Sequence, residues 1–189
     1  MCPYDMWLLV MTQAYYFLIA SLPVLTFEEK PPLTTEEFLD RCRGQLFSAD
    51  FFLMEKICAD AAKIPSSNFV LTAWTHFNHN LRNEIAYYRA KRSGKDPLDH
   101  LRGERPFEPL WAQAVSKAAQ LSDPLQAERL LDEQRWRFLD DLVAFQYFNL
   151  EWLSVYALKL KILERYQVLE SPEGKALYDE YKRIELALN

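Results

Sequence analysis

From residue 125 to residue 171 the chain contains neither glycine nor proline, a run of 47 residues held between Pro124 and Pro172. Those two residue types are the ones that interrupt helices, so the run is helix-compatible throughout. As a single helix it would reach about 70 Å at 1.5 Å per residue. That length suits an elongated hairpin or bundle better than a sphere, with Arg135 to Arg137 as the place for a kink. Asp123-Pro124 supplies an N-cap and first-turn pair at its start. Between Leu142 and Leu163 the apolar positions go almost all the way round the helix, the pattern of a buried centre. Gln146, Asn149, Glu151, Lys159 and Lys161 argue against a membrane span there, and a buried Asn149 and Glu151 would fix helix register through hydrogen bonds.

The rest of the chain is punctuated into shorter helices. Thr34-Thr35-Glu36-Glu37 reads as a capped start, and Thr35 to Phe47 places Phe38, Leu39, Cys42 and Leu46 on one face. Ser48 then caps a helix carrying Phe51, Phe52, Met54, Ile57, Ala61 and Ile64, which Pro65 ends. Ser66 or Ser67 opens the next, whose stripe Val70, Trp74, Phe77, Leu81, Ile85 and Tyr88 keeps helical spacing up to Gly94. Residues 95–109 hold four breakers, Pro97, Gly103, Pro106 and Pro109, and read as a loop or hinge with one helical turn after Asp96-Pro97. A shorter helix follows from Leu110 to about Gln120, and Ser171-Pro172-Glu173 starts a last one with Leu177, Tyr178, Tyr181, Ile184 and Leu188. Only four glycines in 189 residues, with few Val/Ile/Thr alternations, argue against a sheet-rich domain. The expected fold is therefore all-α, an elongated helical bundle with one very long C-terminal helix. A chain of this length is expected to form a single helical domain over 11–189, burying roughly 70% of its unfolded surface.

Composition excludes several functions. The net charge of -5 and pI near 5.3 disfavour nucleic-acid binding. Cys2, Cys42 and Cys58 are odd in number and lack paired spacing, which points to a reducing compartment. The apolar stretch from Met6 to Leu25 is interrupted by Thr12, Gln13, Ser21 and Pro23, and no Lys or Arg precedes it, so it reads as a core helix with an untidy lead-in. There is no phosphate-cradling glycine loop, Gly-x-Ser-x-Gly, His-Glu-x-x-His or Cys-x-x-Cys. His76 and His79 share the polar face of their helix, while Glu84 lies on the other flank of the apolar stripe and cannot complete a metal site with them. The expectation is no metal, no cofactor and no catalytic residue. Trp136, Phe145, Phe148, Trp152 and Tyr156 are spaced for core packing rather than for a stacking platform. Trp74 to Asn78 with Ala86 lines up with Phe145 to Asn149 with Ala157, a faint internal symmetry that chance explains as well as duplication does.

One surface remains a candidate. Arg82, Arg89, Lys91, Arg92 and Lys95 form a basic run against the single Glu84. Such a run either meets an acidic partner or anionic headgroups, or is a solvated helix end whose cations favour the C-terminal dipole. Arg82 and Arg89, seven apart, share a face and with Arg92 and Lys95 make up the partner-binding candidate.

A specific pattern runs through Tyr15, Tyr16, Leu18, Ala20, Ser21, Leu22, Pro23 and Leu25, then Lys30, Pro31, Pro32, Glu36, Glu37 and Phe38. It resembles the opening of a family of uncharacterised bacterial proteins usually encoded among the subunits of V-type (archaeal-type) ATPases, and continues more loosely through Leu81 to Ala86, Arg89 and Ala90. The residues before Met11 fit that family less well, so Met11 reads as an alternative start and 1–10 as an N-terminal extension. The family in turn resembles, more distantly, the helical C (or d) subunit that sits on the rotor ring and carries the central stalk. The resemblance implies a non-catalytic helical component or accessory of a V-type ATPase, partnered by subunits of the rotor ring or central stalk. It further implies a cytoplasmic protein peripherally associated with the inner membrane through that complex. The alternatives are a free-standing helical adaptor unrelated to the ATPase and, behind it, a small metal-dependent enzyme.

Overall fold

The computed structural model describes residues 15–59, 68–106, 108–145, 147–177 and 180, and among them every regular element is helical. The helices are α1 (residues 15–21), α2 (Thr35–Cys42), α3 (Ser48–Cys58), α4 (Phe69–Arg92), α5 (Pro109–Ala118), α6 (Pro124–Leu142), α7 (Leu150–Glu170) and α8 (from residue 172), with a 3-10 turn at Pro97–His100 between α4 and α5. The expected extension at 1–10, the start at Met11, the lead-in before Tyr15, the stretch Ala61 to Ser67 and the stripe members Tyr178, Tyr181, Ile184 and Leu188 lie outside the described residues. The chain divides into two compact units, one made of 1–61 with 148–189 and the other of 62–147.

The breaker-free run is two helices rather than one. α6 continues unbroken through Arg135 to Arg137 and stops at Leu142, and α7 begins at Leu150. Between them the Val143 N–H turns back to the Asp140 carbonyl, Phe148 adopts a left-handed φ of 61°, and Asn149 caps α7 by accepting the Trp152 N–H. No glycine or proline makes this break. Its cause is tertiary, because α6 packs against α5 and α4 whereas α7 packs against α3 and α2. A left-handed φ on a bulky residue is strained, and Phe148 keeps it while its ring packs on Tyr16 at 4.5 Å. Asn149 is thus a half-buried cap, not a buried register-setting amide, and the aligned segments Trp74 to Asn78 and Phe145 to Asn149 differ in structure, mid-helix in one and turn in the other.

In the first unit α7 is the centre. Leu153 to Leu158, Leu160, Ile162 and Leu163 are all buried, so only this part of the Leu142 to Leu163 stretch forms a core. Phe38 of α2 stacks on Tyr156 of α7 at 5.4 Å, and the Tyr156 hydroxyl donates to the Pro23 carbonyl at 2.9 Å. The Lys161 ammonium donates to the Ile57 and Cys58 carbonyls at 3.0 and 3.1 Å, neutralising the C-terminal end of α3. The Glu164 carboxylate accepts the Thr35 N–H at 2.6 Å, adding an anion to an α2 start already closed by the reciprocal Thr34–Glu37 capping box. The Tyr15 hydroxyl donates to Asp50, tying α1 to α3. Where the sequence placed Thr35 to Phe47 in one helix capped onward by Ser48, α2 ends at Cys42 and Phe47 occupies the α3 N-cap without a side-chain bond. Ser171 closes α7 and starts α8, and Gly174 there lies so close to the Val168 carbonyl that any β-carbon would overlap it.

The second unit is an α4–α5–α6 arrangement. Phe77, Leu81, Val115, Ala118 and Leu131 form its core, with Trp74, Ile85, Tyr88, Trp111 and Phe138 packed against it. The α4 stripe read from the sequence is the face that makes these contacts, and Phe77 stacks on Phe138 at 4.2 Å and meets Trp111 edge-on at 5.5 Å. Asn68, not Ser66 or Ser67, is the α4 N-cap, and the helix ends before Gly94, whose φ of 69° no side-chain-bearing residue adopts cheaply.

Candidate partner-binding face

α4 carries six basic or histidine side chains and a single carboxylate, Glu84. That carboxylate faces inward. Its side chain is 6% exposed and is held in a fork by Arg105, at 2.7 and 2.8 Å. The hydrogen bonds it donates to Glu84 hold the Arg105 guanidinium further up its already high range, and the same guanidinium lies over the Tyr87 ring at 3.7 Å. Beside it, buried Asn83 donates to the Arg102 carbonyl at 2.9 Å and accepts the Arg102 N–H at 3.1 Å. Of the 95–109 stretch read as a loop or hinge, residues 95–106 therefore run as a segment strapped to α4 at two adjacent residues, with Asp96 capping the 3-10 turn at Pro97–His100, and Pro109 already opens α5. Sequence reasoning missed Asn83, Glu84 and Arg105 as this anchor. The available signal was a lone acid on a basic helix followed by a breaker-rich segment bearing arginines.

Engagement of Glu84 leaves the outer face of α4 cationic and free of acids. Arg82, Arg89, Lys91, Arg92 and Lys95 are all exposed, as are His76 and His79. Arg92 donates to the Ala119 carbonyl at 3.3 Å at the end of α5, where a cation complements the helix dipole. Among the described residues Arg82 and Arg89 make no ion pair and no side-chain hydrogen bond. The structure thus separates the four candidates: Arg82 and Arg89 share the open face, Arg92 serves the α5 end, and Lys95 lies past the end of the helix.

His79 is the other polar feature of this face. Its Nε2 lies 3.3 Å from the Asn83 amide nitrogen. Glu84 is turned away from both histidines and occupied by Arg105, and among the described residues no group of three or more His, Cys, Asp or Glu side chains is placed to hold a metal ion. The aromatic series divides between the units. Trp136 and Tyr156 are buried, Phe148 and Trp152 are half-buried, and Phe145 is 94% exposed, so Phe145 does no core packing. Cys42 is buried and burial pushes its thiol up to about 12, with Cys58 adding to the shift, so Cys42 is a poor nucleophile. No helix among the described residues is long and apolar enough to cross a membrane.

Residues 110–184 match a family described as "Protein of unknown function (DUF2764)". The match covers α5, α6 and α7 but less than half of the chain, and its description states no activity or partner. It lies outside Tyr15 to Phe38, the residues that carry the V-type ATPase resemblance. No curated protein and no solved structure matches the chain.

Proposed function

We propose that this protein is a non-catalytic helical component or accessory of a V-type (archaeal-type) ATPase, similar to the C (or d) subunit, which couples or assembles the rotor and central stalk. Its place is on the cytoplasmic side, associated with the inner membrane through the complex. The observation that carries the docking part of this reading is the acid-free outer face of α4, on which Arg82 and Arg89 are exposed and unpaired among the described residues while the one α4 carboxylate is turned inward. The choice of complex is supported by the resemblance at Tyr15 to Phe38. A subunit that transmits force or holds an assembly needs firmly capped helices and a charged docking face rather than a pocket, and exposed arginines steer such encounters in a salt-dependent way. Pull-down from membranes holding the intact ATPase tests this reading. The wild-type protein retains ATPase subunits and the Arg82→Glu/Arg89→Glu variant loses them, most clearly at low salt, with its circular dichroism unchanged. A wild-type protein that retains no ATPase subunit while the complex is intact defeats the assignment and leaves the free-standing adaptor.

A further inference from the structure

We infer that the partner element docking on α4 is an acidic α-helix laid along the helix axis, rather than an extended peptide or a diffuse anionic surface; this rests on the docking role of α4 proposed above. The open face is a seam, Thr75, His79, Arg82, Ala86 and Arg89, whose spacing alternates four, three, four and three. That is a heptad-like repeat, and in an α-helix it keeps residues on one side with a drift of only about 20° per seven residues. Thr75, His79, Arg82 and Arg89 are exposed, Ala86 is half-buried, and none of the five is acidic. On the flank nearest Asn83 the seam is bordered by the strapped segment, fixed there by Asn83 to Arg102 and Arg105 to Glu84.

The charge spacing selects the shape of the partner. Arg82 and Arg89 are two helical turns apart, about 10.5 Å along the axis at 1.5 Å per residue. Two carboxylates seven residues apart on a second helix repeat the same distance on one face. An extended strand cannot, because its same-face positions fall about 6.6 Å apart at every second residue and about 13 Å apart at every fourth. Between the two arginines the seam carries Ala86, the smallest side chain on it. A small residue there lets a second helix axis approach to the 8–10 Å typical of packed helices, with the guanidinium groups flanking the contact and able to fork onto carboxylates.

The test uses the full chain and a stapled helical peptide of alanine and glutamine carrying two glutamates seven positions apart, read by fluorescence anisotropy at low salt. The control peptide has the second glutamate five positions from the first, which turns it about 140° round the helix. The seven-spaced peptide is expected to bind at least about tenfold more tightly than the control, a difference of about 1.4 kcal/mol. Arg82→Glu/Arg89→Glu should lose that binding and regain it toward a peptide with lysines in place of the glutamates. Ala86→Gln keeps every charge and, at this half-buried position, has its fold checked by circular dichroism; it should weaken the peptide about tenfold by holding the helices apart. Equal binding of the two peptides, an Ala86→Gln variant that binds as the wild type does, or equally tight binding to anionic phospholipid vesicles would each overturn the inference. The peptide result stands apart from the pull-down. Discrimination between the peptides without ATPase capture removes the ATPase assignment and keeps the seam, and capture without discrimination does the reverse.

Discussion

The two units solve the same problem, burying helices, with opposite wiring. In the first unit the stabilising contacts join residues far apart in sequence: Tyr156 to Pro23, Glu164 to Thr35 and Lys161 to Ile57, separated by 133, 129 and 104 positions. Most of these end on backbone groups, so they fix where one helix terminus sits against another. In the second unit the contacts are local. Arg105 reaches Glu84 over 21 positions, and Arg135 reaches Asn78 over 57 while pairing with fully buried Asp132 at 2.6 Å. Loop closure makes long-range contacts costly until both partners are present, so the first unit waits for α7 whereas the second needs only its own contiguous chain.

The harshest way to break this contrast is to end the chain after Tyr147. Without α7 the first unit has no centre and should lose its helical structure entirely, while a fragment of residues 62–147 keeps its helices and melts cooperatively. Circular dichroism and amide exchange on the fragment decide this, and a featureless melt of 62–147 would show that the locality of its contacts is not sufficient.

Alkaline titration separates the units without cutting the chain. Burial raises Tyr15, Cys42 and Tyr156, helped at Tyr15 by its hydrogen bond to Asp50, and all three belong to the first unit. Cys42 goes from 9.0 to about 12 and Tyr156 from 10.0 to about 12. In each case the folded state keeps a proton that the unfolded state gives up. Their stabilisation is complete below the unfolded values and is lost as pH rises through this window. Between pH 9 and 12 the first unit should therefore loosen before the second, seen as amide exchange rising first in α2, α3 and α7 together with tyrosinate absorbance. Simultaneous loss of both units, or loss of the second alone, contradicts the comparison.

Single substitutions should be felt within their own unit. Phe38→Ala leaves a cavity beside Tyr156 where the ring is fully buried, and should cost about 3 to 5 kcal/mol. Arg105→Ala strands the buried Glu84 carboxylate and frees the strap, costing about 3 kcal/mol. If thermal melts show two transitions, the first substitution lowers one and the second lowers the other. The smallest effects come from the two matched asparagine caps, Asn149 on α7 and Asn68 on α4. Each Asn→Ala change should cost about 1 kcal/mol. A much larger loss at Asn149 would show that its cap also holds the Phe148 turn in place.

Much of the helix punctuation was legible because local chemistry decided it. The Thr34 capping box, the Asp96 and Asp123 caps before prolines, the stop at Gly94 and the inward stripe of α4 all act within a few residues of one another. The candidate face was legible in part. Arg82 and Arg89 stand out as cations sharing a side, but nothing local says that Glu84 is withdrawn from them by an arginine 21 positions on.

The sequence by itself determined that the chain is helical, where several of its helices begin or stop, and which face of α4 packs inward, because propensity, capping and helical period are short-range properties. Only the tertiary structure decided that residues 125–171 break between Leu142 and Leu150. No residue in that turn forbids a helix, and one of them, Phe148, accepts a strained φ of 61° in order to leave it. The break follows from packing, since α6 and α7 complete different cores. Which helix a side chain meets across a hundred positions is a property of the assembled fold.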